Sequence, residues 1–316
     1  MKVFPLAAES LGVRSMATFV EVGSTSVLID PGATIAPSRY GLPPASEEWE
    51  ALRRANDRIS AYATRADFIF VSHYHEDHFR SDPASYRGRA VVAKDPRRMV
   101  QGQQARRAAE LWRTLDGHAR IASADGWTLR ESTVTLAGSS PLAHGVEGSP
   151  LGYVVALTIE DPAERQRFVF ASDVQGPLSP VVAAFLARQR PTLLYLSGPP
   201  SYIERELTTG LVDRGIDNLR RVMDVTGCRV IMDHHALRDL RWQERFGSLW
   251  ETGRVVTAAG WLGIDDAALE ARRPQLWQAV RRPVAKAPTS RATMTRTARD
   301  RTTRRIDKTA KGGYRE

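Results

Sequence analysis

Residues Asp67-Phe68-Ile69-Phe70-Val71-Ser72-His73-Tyr74-His75-Glu76-Asp77-His78 carry the most chemistry per position in this chain. The stretch begins as a short run of aromatic and β-branched residues, which at this length fits a buried strand. It ends in three histidines and two carboxylates within six positions, out of seven histidines in the whole sequence. Such a cluster is costly at the end of a buried strand unless something satisfies it. Imidazole nitrogens and carboxylate oxygens at close spacing suit a borderline transition metal. The histidines stand at i, i+2 and i+5, with Asp77 at i+4. In a tight turn leaving a strand, His73 and His75 can converge on one point while Asp77 and His78 face a second. The spacing therefore predicts two metal ions rather than one.

Composition narrows what can hold them. Cys228 is the only cysteine, so neither an intrachain disulfide nor a thiolate cluster is available and the donors must be His and carboxylate. The hydrophobic fraction of 42% over 316 residues supports a sizeable core. No stretch approaches the ~20 apolar residues of a membrane span. Met1–Leu6 is too short, and too soon interrupted by Pro5 and Glu9, for a signal peptide, so a cytoplasmic location without a membrane partner is expected. The net charge of +9 is not spread evenly. Of 45 Lys+Arg and 36 Asp+Glu, residues 281–316 hold 12 and 3, which leaves 33 of each for residues 1–280. The tail thus carries the whole excess. Residues 283–316 have almost no large apolar side chains and are expected to be disordered, behind a catalytic domain spanning 1–282.

Outward from the cluster the sequence reads as an early run of strands, then strands alternating with helices. Met16–Val22 and Ser26–Asp30 flank the hairpin signal Gly23-Ser24-Thr25. A stiff loop containing Tyr40-Gly41-Leu42-Pro43-Pro44 follows, placed where it can wall a pocket. Ser46 is a candidate helix cap, and Trp49, Leu52, Ala55, Ile59 and Tyr62 form a helical stripe expected to be buried. Further helices are expected at 96–115, 180–189, 237–251 and 266–281. Val212, Ile216, Leu219 and Met223 mark another, with Gly227 as its C-terminal cap. This alternation suggests layered α/β structure with helices outside two sheets. Metal-competent residues recur just past successive strand ends: Asp30, the His73–His78 cluster, His144, Asp173, and His234 with His235. Strand ends at one sheet edge converge in space, so these residues can meet at one site.

His73-Tyr74-His75-Glu76-Asp77-His78 resembles the His-x-His-x-Asp-His signature of the metallo-β-lactamase superfamily, and the other elements fall in that superfamily's order across residues 1–280. Several phrases are similar to a mainly archaeal family of predicted metal-dependent hydrolases within it: Glu9–Met16, Tyr40–Pro44, Ser172–Pro177 and Asp233-His234-His235. The resemblance implies an αββα sandwich, two mixed β-sheets with helices on the outer faces. It further implies one metal held by His73, His75 and His144, and another by Asp77, His78 and a terminal histidine. Asp173 would bridge the two, and Asp30 would orient ligands without binding metal. The terminal ligand is His234 or His235. His234 is favoured because it directly follows the strand, lies four before Arg238, and should face opposite to His235 if the strand continues.

Two ions about 3.5–4 Å apart, zinc by preference with manganese or iron as alternatives, can share a hydroxide, with Asp77 as the catalytic residue that orients it. The expected reaction is hydrolysis of an ester-like or phosphodiester bond in a small molecule, and Tyr202 is a candidate proton donor to the leaving group. Two alternatives stand beside it. One is a nuclease whose basic tail binds the phosphates of nucleic acid. The other is a dinuclear iron oxidoreductase on the same donors.

Overall fold

Alternation along the strands sets the layering. In β3 (Thr25–Ile29), Val27 and Ile29 face one way and Leu28 the other; in β4 (Phe68–Val71), Phe70 opposes Ile69 and Val71. Val27, Ile29 and Phe70 meet Leu157, Ile159, Phe168 and Phe170 in a core between two sheets. Leu28, Ile69 and Val71 instead pack beneath helices. The period of two thus divides each strand between an inner and an outer core.

The structure, a computed structural model, describes residues 1–281; the tail expected at 283–316 lies outside the described residues. The first sheet runs in sequence order: β1 (Lys2–Pro5), β2 (Thr18–Val22), β3, β4, β5 (Ala90–Ala93) and β6 (Arg120–Ser123). Its first three strands are antiparallel, and β3 to β6 are parallel. The second sheet comprises β7 (Thr128–Glu131), β8 (Val134–Gly138), β11 (Leu157–Asp161), β12 (Gln166–Ala171), β13 (Leu193–Ser197), β14 (Arg229–Asp233) and β15 (Val255–Val256). It too begins antiparallel and becomes parallel from β12 onward. Between β8 and β11, β9 (Leu142–Ala143) and β10 (Tyr153–Val154) form a small hairpin of their own. Helices α1 (Ser46–Ala63) and α2 (Gly102–Leu115) cover the first sheet, and α3 (Pro180–Gln189) and α4 (Leu211–Thr226) cover the second. This is the αββα sandwich that the His-x-His-x-Asp-His signature implied. Its parallel strands β3, β4, β12, β13 and β14 bring their C-terminal ends to one edge, the usual place for a site in such sheets.

Local expectations held where one face decides an element. Val212, Ile216, Leu219 and Met223 of α4 are all buried, and Gly227 at φ +70° returns its N–H to the Met223 carbonyl. They failed where tertiary contacts override the pattern. Trp49 is 56% exposed, and the buried face of α1 is Glu48, Ala51, Ala55, Ile59 and Ala63, because small alanines let the helix lie close to the sheet. Ser46 does not cap α1: its hydroxyl turns to Glu47, while Glu48 accepts the Ala45 N–H at 2.9 Å. The helix expected from 96 starts at Gly102, since Asp95 folds the preceding residues into a turn by accepting from the N–H of Arg97 and Arg98. That expected at 237–251 is broken into a 3-10 turn, His234–Arg238, and two short helices, α5 (Trp242–Arg245) and α6 (Gly247–Trp250). A regular helix buries one face, whereas all five residues from His234 to Arg238 are buried. After a short helix α7 (Ala258–Trp261), the last helix, α8 (Arg273–Arg281), begins later than 266. Pro274 stands in its first turn, where a missing N–H is harmless.

Candidate metal centre

Asp30, one residue past β3, gathers the two sheets. Its Oδ1 accepts the Ser72 N–H at 2.7 Å, and its Oδ2 accepts the hydroxyls of Ser72 (2.6 Å) and Ser172 (2.9 Å) and Nδ1 of His78 (2.9 Å). Ser72 leaves β4 of one sheet and Ser172 leaves β12 of the other. The histidine-bearing turn lies directly on Gly32. A Cβ there would stand 2.4 Å from the Phe79 nitrogen and 2.6 Å from that of His78, so no other residue fits.

Every candidate donor from the sequence reaches one cluster. His73 Nε2, His75 Nδ1, His144 Nε2 and Asp173 Oδ2 form a first group. Their separations are 3.1 Å (His73–His75), 3.2 Å (His75–His144), 3.1 Å (His144–Asp173) and 3.6 Å (His73–Asp173). Asp77, His78 and His234 form a second, with His78 Nε2 3.4 Å from His234 Nε2 and the Asp77 oxygens 3.9 and 3.6 Å from those rings. Asp173 reaches both groups: Oδ2 is also 3.5 Å from His78 Nε2, and Oδ1 is 3.4 Å from His234 Nε2. Tetrahedral bonds of about 2.0–2.1 Å put neighbouring donor atoms about 3.3–3.4 Å apart, close to these spacings. Among the described residues, Asp173 Oδ1 is buried without a hydrogen-bond partner, as is His144 Nδ1. An unpartnered carboxylate oxygen among imidazoles is what a cation would satisfy.

Hydrogen bonds at the far nitrogens set the tautomers. His78 Nδ1 faces Asp30, and His234 Nδ1 faces Glu9 at 2.7 Å, so in its neutral form each imidazole carries its proton there and turns an Nε2 lone pair inward. Ser72 donates to Asp30, leaving its oxygen to accept from His73 Nδ1 at 2.9 Å, with the same result. His235 is the reverse. Its Nδ1 meets the Tyr202 hydroxyl at 3.2 Å and Arg238 Nη1 at 3.3 Å, and a guanidinium can only donate. The proton therefore sits on Nε2, directed at Asp173 Oδ2, 3.3 Å away. His75 directs Nδ1 inward; its Nε2 lies 3.3 Å from the Gln104 amide nitrogen, a donor, so without a cation the proton sits on Nδ1 and a bound cation would displace it.

Charges follow this arrangement. Burial disfavours the charged form of His78, but Asp173 and Asp77 outweigh it and hold its pKa well above the usual range. Burial likewise opposes a charged His234, yet Glu9 and Asp173 raise it to about 9. Asp77 and Asp173 lie far below the usual carboxylate range, because His78 and His234 overcome the cost of burial. His235, buried and next to Arg238, is pushed down to about 3.

The expectation that His235 would face away from His234 fails. The strand ends at Asp233, and His234 adopts φ +59°, so strict alternation stops and both rings turn inward. The tautomers, rather than the direction, distinguish the two. The sequence assigns Glu9 no role; it also accepts Arg238 Nε, and burial notwithstanding, Arg238 and His234 hold its pKa at about 2. Its one local signal is a carboxylate inside the apolar stretch Leu6-Ala7-Ala8-Glu9-Ser10-Leu11. Gln104, on α2, had no signal.

No family model matches the chain. A UPF0282 protein of Thermococcus gammatolerans is 40% identical over 290 residues, covering 87% of this chain and 95% of that relative. The chain belongs to the UPF0282 family. A second member, from Korarchaeum cryptofilum, is 36% identical over 286 residues, covering 88% of this chain and 95% of its own length. The archaeal membership agrees with the residue phrases that suggested it. Among solved structures, an isothiocyanate hydrolase from Delia radicum gut bacteria superposes with a TM-score of 0.52 at 15% identity, over 81% of this chain and 95% of its own. This UPF0282 chain thus shares the fold of that structure, two mixed sheets between outer helices. Among the described residues, no helix is long and apolar enough to cross a membrane.

Proposed function

We propose that the chain is a metal-dependent hydrolase that holds two divalent ions and cleaves an ester-like or phosphodiester bond. The observation that supports this best is Asp173, whose two buried oxygens reach two separate sets of nitrogen donors, one oxygen having no other partner. In this proposal His73, His75 and His144 would hold one ion and Asp77, His78 and His234 the other, with Asp173 available to both. In this reading His235 stays outside the set, its Nδ1 facing Tyr202 and Arg238 and its Nε2 facing Asp173. The donor set suits zinc, manganese and iron alike. When bound, such ions supply Lewis acidity and a water that ionises near neutral pH.

The remaining work falls to side chains at the opening. Asp77, 15% exposed, is the carboxylate of the cluster that reaches solvent, placed to orient the attacking water. Arg238 Nη2 lies 3.4 Å from it and fixes its direction. His235 Nε2–H holds Asp173 in its bridging orientation. The Tyr202 hydroxyl, beside His235, is placed to give its proton to the leaving atom. A second reading, a nuclease aided by the tail, draws support from the 12 Lys+Arg in residues 281–316. Deletion from residue 283 that abolishes salt-dependent binding of single-stranded nucleic acid would favour it.

The test is metal analysis of purified protein together with hydrolysis of phosphodiester, lactone and thioester substrates. Two metal equivalents and chelator-sensitive hydrolysis are expected. Absence of bound metal after loading with zinc, manganese and iron would overturn the proposal. Stoichiometric iron with oxygen-dependent turnover would favour an oxidoreductase instead.

A further inference from the structure

The loop between β3 and α1 ends in a tight turn beside the metal centre. Arg39 N–H donates to the Leu42 carbonyl at 3.0 Å and Leu42 N–H to that of Arg39 at 2.9 Å, so Tyr40 and Gly41 are the two central residues of a hairpin turn. Their φ angles are +54° and +70°. Glycine takes that conformation freely, but a tyrosine there is strained, and it is nearly half exposed. Strain of this kind persists only where the surroundings impose it. They do: Arg273, itself buried and paired with Glu48, donates to the carbonyls of Ala36 and Leu42, and Trp277 donates to that of Pro43. Helix α8 thus holds the turn in place.

What the turn presents is a cation between two rings. The Arg39 guanidinium lies 4.7 Å from the centre of the Tyr40 ring and 4.9 Å from that of Tyr202. Tyr202 in turn stacks parallel to His235, with 6.2 Å between ring centres. The series Tyr40, Arg39, Tyr202, His235 therefore leads from solvent to Asp173. Arg39 is poorly satisfied along it. Its only side-chain hydrogen bond among the described residues runs from Nη2 to the Arg238 carbonyl at 3.0 Å. Its Nε is buried with no hydrogen-bond partner, and Glu270 Oε1, 3.8 Å away, is already held by a two-pronged contact with Arg14. The neighbouring cations are engaged: Arg238 with Glu9 and Asp77, Arg14 with Glu270.

We propose that Arg39, held between Tyr40 and Tyr202, is the docking point for a negatively charged oxygen group of the substrate, a phosphate or a carboxylate, carried next to a planar group that lies on Tyr40. A guanidinium with free N–H groups, fixed in direction by stacking, matches such a group in two-pronged fashion. The inference rests on the hydrolase proposal for its word substrate, and it separates anionic from neutral esters within that class.

Calorimetry with metal-loaded full-length protein tests it, using phenyl phosphate and benzoate as probes. Arg39→Gln is expected to weaken binding of at least one anion by about tenfold or more, at unchanged metal content, with Arg39→Lys recovering part of the loss. Tyr40→Gly removes the ring without backbone penalty and is expected to weaken both probes. A larger Arg39→Gln effect on phenyl phosphate assigns a phosphate group, and a larger effect on benzoate a carboxylate. Equal binding of both anions by wild type and Arg39→Gln overturns the proposal, as does a wild type that binds neither. Hydrolysis is not the readout, so failure of the hydrolase proposal would show separately, as inactivity with anion binding intact.

Discussion

The two halves of the centre are supported differently. Around Asp77, His78 and His234, both imidazoles rest on buried carboxylates, Asp30 and Glu9, each of which is fixed by further donors. Around His73, His75 and His144, the supports are a hydroxyl on His73, an amide nitrogen near His75 and nothing on His144. A carboxylate behind an imidazole makes it a more basic and better oriented ligand. If the proposed ligand sets are right, the second half would hold a cation firmly and the first more loosely, with Asp173 common to both.

The largest break in this comparison is Asp173→Ala, which removes the shared donor. It is expected to lower metal content below two equivalents and to cost more activity than the roughly 10–100-fold typical of a supporting residue. Elemental analysis with steady-state kinetics measures both, and full retention of two ions would remove Asp173 from its bridging place. Next comes the histidine pair. His234→Ala should lose one ion and His235→Ala none; the opposite outcome would reverse the tautomer assignment.

Those two histidines also show what a sequence can and cannot disclose. That His73 to His78 lie together was legible because they are local, and that Asp30, His144 and Asp173 join them because each follows a strand. The His234–His235 choice turned on where β14 stops and on Tyr202 and Arg238 closing around one ring. Glu9 lies 225 residues from His234, and nothing in its neighbourhood names its partner. Helix ends were misjudged for the same reason: Glu48 and Arg273, buried against each other 225 residues apart, reorganise α1 and delay α8.

Glu9→Gln sharpens the comparison from the carboxylate side. A loss of roughly 10–100-fold in metal affinity is expected, confined to one of two sites in a competition titration with chelator. Glu9 also predicts a pH signature in chelator-treated protein. Its folded pKa of about 2 lies below the unfolded value of about 4.3, so the stability it contributes is complete above that value and is lost as pH falls toward 2. The amount is about 3 kcal/mol at most. Denaturation between pH 5 and 2 should show a shallower dependence in Glu9→Gln than in wild type, Asp77 and Asp173 supplying the remainder; parallel curves would count against the pairing. The smallest effect belongs to Gln104→Ala in the loosely held half. It should change affinity by less than ~10-fold, and a larger loss would mean that both halves are supported alike.

Asp30 receives one serine from each sheet, and each donor group likewise draws on both. Neither half of the polypeptide contains a whole coordination set. A ribosome-bound chain offers its first complete group of donors only once Asp173 has emerged and its second only once His234 has, so the full centre has to wait until synthesis is past β14. Two separately expressed halves, cut between β6 and β7, would be individually blind to metal, and uptake on mixing them would time the docking of one sheet onto the other.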